Sequence, residues 1–320
     1  MNPTGIIGAG LIGSFAITFI FMPFLVGYFR AKKEGQMIKE VGPNWHKSKS
    51  GTPTMGGILF ILTAVVMTIL VGAIAHQLTA AIIVTVLVFL GYGLIGAFDD
   101  RIKIFHHQND GFSAKQKAGL QVLGAVILFL ILMFTGFDFK IVTWWWTLHL
   151  GWVYLPILIF WMVGWSNAVN LTDGLDGLVA GTSIISYVTF GLMALKSGSM
   201  DIAIFDFVLV GALVAFFWYN KKPAQIFMGD TGSLALGAGL AINSVLLHKE
   251  FALLLIGIIP IIETLSVIMQ VTSFHFFKKR IFKMSPIHHH FEMSGWSEWK
   301  IDIVFWIITL IGCVISYSLT

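Results

Sequence analysis

Charge is what this 320-residue chain has least of. Asp, Glu, Lys and Arg together make up 11% of it, where a soluble globular protein carries about 25%. That shortage, with 57% hydrophobic residues, excludes a water-soluble domain and a disordered chain. A single cysteine, Cys313, excludes an internal disulfide and argues against a cysteine-built metal site. No basic residue precedes Arg30, so the apolar run 1–29 lacks the positive leader of a cleaved signal peptide. A basic cluster follows it instead, and the run reads as an uncleaved first span. No repeat, low-complexity tract or soluble module interrupts the chain, and residues 1–320 read as a single integral membrane domain.

What the chain does have is long apolar runs rich in Leu, Ile, Val and Phe, without the short alternating segments of a β-barrel. Apolar stretches occur at 1–29, 51–98, 118–137, 152–169, 177–195, 204–219, 234–247, 251–277 and 303–319, free of Asp, Glu, Lys and Arg except for Asp206 in the sixth and Glu263 in the eighth. The second is long enough for two spans, broken near His76, Gln77 and Thr79. The expectation is an all-α polytopic membrane protein of about ten transmembrane helices. Lys and Arg in short loops stay on the cytoplasmic side. With ten spans, every basic residue except Lys140, Lys196 and Lys249 falls on one face, which puts the N- and C-termini outside. Trp144, Trp145, Trp146 and Trp152 then belong to an outer interfacial belt. Asp99, Asp100, Asp110, Asp173, Asp176, Asp230 and Glu292 share the basic face. Acidic and basic groups therefore converge at the cytoplasmic surface, where the active site is expected.

Five strings carry the chemistry. FDDRIK at 98–103 ends a span with adjacent carboxylates, Asp99 and Asp100, that a metal or cations must offset; Lys103 lies one turn on. An interfacial stop signal with a surface ion pair accounts for it as well. In NAVNLTDGLDG at 167–177, Asn170, Asp173 and Asp176 are three apart. If helical they share a face and aim oxygens at one point, which suits a hard cation such as Mg2+; Gly174 and Gly177 let a ligand approach the backbone. The alternative is a capped turn. FMGDTGS at 227–233 opens a span, where Asp230 or Thr231 could cap the helix and its first amides would attract phosphate. GTPTMGG at 51–57, with Lys49 before it, offers a cation, hydroxyls including Thr54, and free amides to an anion. SPIHHHFE at 285–292 places His288, His289 and His290 in a row. Three consecutive histidines cannot all face one metal, but imidazoles donate hydrogen bonds to phosphate and sugar oxygens. A solvated basic loop is the plainer reading. The span at 251–277 exceeds the hydrocarbon thickness, so it should bend near Pro260 and carry the histidine loop over the other motifs. Its Glu263 reads equally as a packed, neutral carboxyl.

Taken in order, these strings resemble the phospho-N-acetylmuramoyl-pentapeptide transferases within the polyprenyl-phosphate sugar-1-phosphate transferase superfamily. PIHHHFE at 286–292 is similar to the pentapeptide-specific branch, and the ten-helix count agrees with that fold. The resemblance implies a bacterial inner-membrane enzyme, UDP-N-acetylmuramoyl-pentapeptide and undecaprenyl phosphate as substrates, lipid I and UMP as products, and Mg2+ as cofactor. It implies no nucleic-acid partner and is compatible with a homodimer. By that resemblance Asp230 is the Mg2+ ligand, with Asp99, Asp100, Lys103, Asn220 and His288 as further catalytic residues. Lys49, Thr54, Lys115, Asn170, Asp173, Gly174, Leu175, Asp176, Phe227, His289 and His290 are implied to bind substrate. Within this set Gly174, Leu175, Asp176 and Phe227 resemble a uridine pocket in which Phe227 stacks on uracil. A polyprenyl-phosphate N-acetylhexosamine-1-phosphate transferase is the nearest rival. A cation transporter is the rival from another class, since intramembrane carboxylates also line ion paths.

Overall fold

The computed structural model describes residues 3–32, 51–105, 111–143 and 145–320. In chain order they form α1 (Pro3–Ala31), α2 (Gly57–Ile74), α3 (Ala80–Phe105), α4 (Ala114–Phe134), β1 (Lys140–Val142), β2 (Thr147–His149), α5 (Tyr154–Thr172), α6 (Leu178–Lys196), α7 (Met200–Asn220), α8 (Gly229–Leu246), α9 (Glu250–Ile256), α10 (Ile258–Phe277), α11 (Ile287–Glu292) and α12 (Glu298–Leu319). Helices satisfy their own backbone hydrogen bonds, which is the requirement for crossing a bilayer. Nine described helices are long and apolar enough to do so.

The helix missing from that set is α8, and its surroundings explain why. Its sequence is rich in Gly, Ala and Ser, yet every residue from Thr231 to Val245 is buried. A helix shielded from lipid by its neighbours can be small and weakly apolar, and small residues let α3 and α5 close on it. With α8 counted beside those nine, the described helices supply a segment for each of the ten expected spans, the ninth being divided between α9 and α10. That division falls at Gly257, three residues before the predicted bend, and leaves Pro260 in the first turn of α10, where its missing N–H costs nothing. The seventh span is longer than the expected 204–219 because α7 carries Asp201 inside the bundle in its first turn, as it does Asp206 further on. Asp201 accepts from the Thr79 hydroxyl and Asp206 from the Asn243 amide.

The close approach of α1 to α7 shows the two running parallel. Ser14 Oγ donates to the Val208 carbonyl at 2.7 Å and Tyr219 Oη to the Phe19 carbonyl at 3.1 Å. Among the described residues the one sheet is the antiparallel ribbon β1–β2, registered Lys140 to His149, at the end of the bundle where α4 stops and α5 starts. Beside it Trp145 and Trp152 are 84% and 67% exposed. Trp144 lies outside the described residues. At the opposite end of the bundle the C-termini of α3, α5 and α7 meet the N-termini of α2, α4 and α8, and the acidic strings converge there.

Candidate active site

Asp99 and Asp100 stand near the end of α3, and Asp230 is the second residue of α8. Where these helices touch, a Cβ on Gly96 would strike the Asp230 carbonyl, so glycine is what lets the two come together. One oxygen from each of Asp99, Asp100 and Asp230 then lies within 4.8 Å of the others.

The adjacent pair on α3 divides its work. Asp100 accepts from the Asp230 amide at 3.1 Å, the Thr231 amide at 2.9 Å and the Thr231 hydroxyl at 2.7 Å. It caps α8 from a neighbouring helix, where exposed amides and the helix dipole favour a negative charge. The expectation that these amides wait for phosphate is therefore corrected. Asp99 instead faces the cations: Oδ2 is 2.6 Å from Lys103 Nζ, while Oδ1 accepts from the Phe112 amide at 2.7 Å. Asp230 gathers the rest. Its Oδ2 meets Lys103 at 2.9 Å and Lys117 at 2.6 Å, and its Oδ1 accepts from Asn170 Nδ2 at 2.8 Å. Asn170 also donates to Ser233 Oγ at 2.8 Å. Three carboxylates share two ammonium groups, and Asp99 and Asp100 are only 2% and 4% exposed. A buried group of acids short of positive charge, built from oxygen donors alone, matches what a hard divalent cation requires.

The resemblance implied Lys115 at the site, with neighbouring Lys117 as the alternative alignment. Ser113 and Gln116 form a reciprocal capping box that fixes the first turn of α4. From that start Lys117 turns inward to Asp230, while Lys115, two residues earlier, is exposed to solvent. This geometry brings Lys117, and not Lys115, against Asp230.

A second cluster adjoins the first. The predicted common helical face of Asn170, Asp173 and Asp176 does not form, because α5 ends at Thr172 and the chain turns through Asp173 to a left-handed Gly177 at φ 86°. Residues three apart share a face only inside a helix. Asn170 goes to Asp230, whereas Asp176 accepts from the Ala224 amide at 3.0 Å. Asp173, half-buried between them, has its carboxyl held well above the usual range, first by burial and then by the charges of Asp230, Asp100 and Asp176. Asn220 ties this turn to the loop after α7, accepting from the Gly177 amide at 3.1 Å and donating to the Ile226 carbonyl at 3.0 Å. Leu175 packs with Leu178, Ile259, Ile301 and Phe305.

The 51–57 segment lies along the strand-like stretch before α8. Phe227 donates to the Pro53 carbonyl at 2.8 Å, and the amides of Gly56 and Gly57 donate to the carbonyls of Phe227 and Met228 at 2.8 and 3.1 Å. Those two amides are engaged, which corrects the reading of them as free. Thr54 is buried beside Gly229, whose φ of 71° and crowded Cβ position, against Asp100 and Thr54, both require glycine. Lys49 lies outside the described residues. The histidines take three separate partners, as three in a row on α11 must. His288 Nδ1 is 3.1 Å from Glu263 Oε1, His289 Nδ1 is 2.7 Å from Glu292 Oε2, and His290 Nδ1 accepts from the Lys283 amide at 3.1 Å.

Known proteins share this pattern. Residues 81–248 match the model of glycosyl transferase family 4, and residues 49–61 match signature 1 of phospho-N-acetylmuramoyl-pentapeptide-transferase. The phospho-N-acetylmuramoyl-pentapeptide-transferase of Limosilactobacillus reuteri (strain DSM 20016) is 55% identical over 312 residues, covering 96% of this chain and 95% of its own. The proteins of that name from Lactiplantibacillus plantarum and Lactobacillus helveticus are 54% and 49% identical, each alignment covering 97% of this chain and 97% and 96% of theirs. The chain belongs to the phospho-N-acetylmuramoyl-pentapeptide-transferase family.

In this family member the residues singled out in the sequence collect at one end of the bundle in two adjoining groups. Asp99, Asp100, Lys103, Asn170 and Asp230 form one; Asp173, Gly174, Asp176, Asn220, Phe227 and His288 border the other. Sequence reasoning missed Ser233, the Phe112 amide and the pairing of Glu263 with His288. The GDTGS string contained Ser233, but no spacing rule joins Glu263 to a histidine 25 positions on. Asp206 is fully buried on Asn243, and Glu263 is fully buried on His288.

Proposed function

We propose that this chain transfers phospho-N-acetylmuramoyl-pentapeptide from its UDP conjugate to undecaprenyl phosphate, giving lipid I and UMP. We place the reaction at the cytoplasmic face of the bacterial inner membrane. The observation that carries the reading is the convergence of Asp99, Asp100 and Asp230 within 4.8 Å, braced by two lysines, at the bundle end where most of the basic residues also lie. Near-full-length similarity to transferases of that name supports it.

The oxygen-only donor set and its excess negative charge fit Mg2+, which Asp230 and Asp99 would hold. Bound there, the ion would neutralise diphosphate charge and stabilise the departing UMP. Asp100, with both oxygens committed to α8, sets the position of Asp230 instead. Phosphoryl transfer between two anionic substrates is chiefly a matter of positioning and charge neutralisation, and the chain's own residues serve that end. Lys103 and Lys117 supply positive charge at the point of transfer. The 173–177 turn, Phe227 and His288 border the space for the nucleotide. A phosphate monoester has its second pKa near about 6, so the lipid phosphate is already largely dianionic at neutral pH and needs no strong base. Direct attack on the sugar-bearing phosphorus follows, with Asp99 orienting the acceptor through Lys103.

The test is UMP release by purified protein given UDP-N-acetylmuramoyl-pentapeptide and undecaprenyl phosphate. Release should require both substrates and Mg2+. An equal rate with a UDP-N-acetylhexosamine would overturn the substrate assignment. Stoichiometric UMP from enzyme and UDP-sugar alone would overturn direct attack in favour of an aspartyl intermediate.

A further inference from the structure

Glu263 has no role in the reading above, yet its position on α10 is unusual. It is 0% exposed, and a carboxyl buried within a membrane helix is retained only with a partner. That partner is His288, on α11. The ring Nδ1 lies 3.1 Å from Glu263 Oε1, and the His288 backbone amide lies 3.5 Å from Oε2. The backbone contact asks the carboxyl to accept, and an ionised carboxylate accepts from the ring as well, which places the hydrogen on Nδ1; the two contacts together keep the ring from rotating freely. The far nitrogen, Nε2, is 1% exposed with its residue and has no hydrogen-bond partner among the described residues. It presses on Gly174, whose Cβ position it would occupy. Gly174 does not have a positive φ; glycine is needed there because the imidazole stands over it.

We infer that Glu263 is a positioning residue: it holds His288 by Nδ1 so that Nε2 faces the 173–177 turn and hydrogen-bonds the nucleotide end of the donor substrate. A buried polar nitrogen left unpaired is costly, and a nucleotide seated on that turn removes the cost. The inference rests on the transferase reading. It adds that the grip of α11 on the nucleotide is set from within α10, by a residue that touches no substrate.

A double-mutant cycle on the full-length protein tests it, using Glu263→Ala, His288→Ala and the pair, with steady-state kinetics for both substrates. Loss of an orienting partner of a metal-bound histidine costs about 10- to 100-fold, which sets the scale expected for an orienting carboxylate here. Glu263→Ala should raise KM for the UDP-linked substrate by about tenfold while leaving KM for undecaprenyl phosphate within about twofold. In the His288→Ala background it should add less than about twofold. A merely structural role would lower stability and affect both substrates alike. Equal costs in the two backgrounds, or equal shifts in the two KM values, would overturn the inference. Should the alanine variant fail to fold, Glu263→Gln keeps the volume and one acceptor for Nδ1–H, and the same coupling to His288 decides. If the wild-type protein releases no UMP, the transferase reading fails before any variant is compared.

Discussion

Replacing Lys117 by methionine should cripple turnover, while the same change at Lys115 should leave it near wild type. The two lysines are two residues apart and both exposed to the same loop in the sequence, so only the structure separates them. Lys117 Nζ is 2.6 Å from Asp230 Oδ2, with side chains 16% and 15% exposed. At that exposure the pair is screened far less than a surface ion pair, for which the net gain is about 0–1 kcal/mol. Lys103 remains 2.9 Å from the same oxygen, so Asp230 is not abandoned and the larger penalty of a stranded buried charge, about 3–5 kcal/mol, does not apply. What is lost is one charge-assisted hydrogen bond, about 1.5–3 kcal/mol. Expressed in the transition state, that is roughly 10- to 100-fold in kcat/KM. The assay is Mg2+-dependent UMP release by the two variants, with thermal unfolding to show that each is folded. If Lys115→Met loses as much as Lys117→Met, or if folded Lys117→Met stays within about twofold of wild type, the geometry argued for α4 is wrong.

Two other consequences can be measured. Gly174→Ala would set a methyl group where His288 Nε2 stands, and the ring, held by Glu263, cannot retreat. Overpacking of this kind costs about 1–3 kcal/mol, so both the unfolding temperature and the rate of UMP release should fall; an alanine variant matching wild type in both would show that His288 is free to move. At the opposite end of the bundle Glu250, the first residue of α9, is buried and accepts from Tyr154 Oη at 2.5 Å. Leaving a buried carboxyl without that donor costs about 1–3 kcal/mol, so Tyr154→Phe should lower the unfolding temperature; a variant that melts with wild type would show that the contact contributes nothing.

The sequence by itself determined that the chain crosses a bilayer many times as helices, since 11% charge in 320 residues leaves no other way to satisfy the backbone. It also showed which strings carry chemistry, because Asp99, Asp100 and Asp230 are costly at the end of an apolar run unless something uses them. It was weakest wherever a property depended on neighbours. Apolar character underestimates α7 at its start, where Asp201, like Asp206 further along, is hydrogen-bonded inside the bundle. The two-residue offset that separates Lys117 from Lys115 depends on where α4 begins, which the Ser113–Gln116 capping box decides. The three-residue spacing of Asn170, Asp173 and Asp176 promised one face, and the end of α5 at Thr172 sends them to three places.

Tertiary structure alone decided which of two adjacent carboxylates faces cations and which caps a helix, and that Gly174 is a glycine on account of a histidine 114 positions away. Local pattern records how a residue relates to its own helix. Hydrogen bonds such as Asp100 to α8 and Glu263 to His288 join helices far apart in the chain, and their partners are fixed only when the bundle packs.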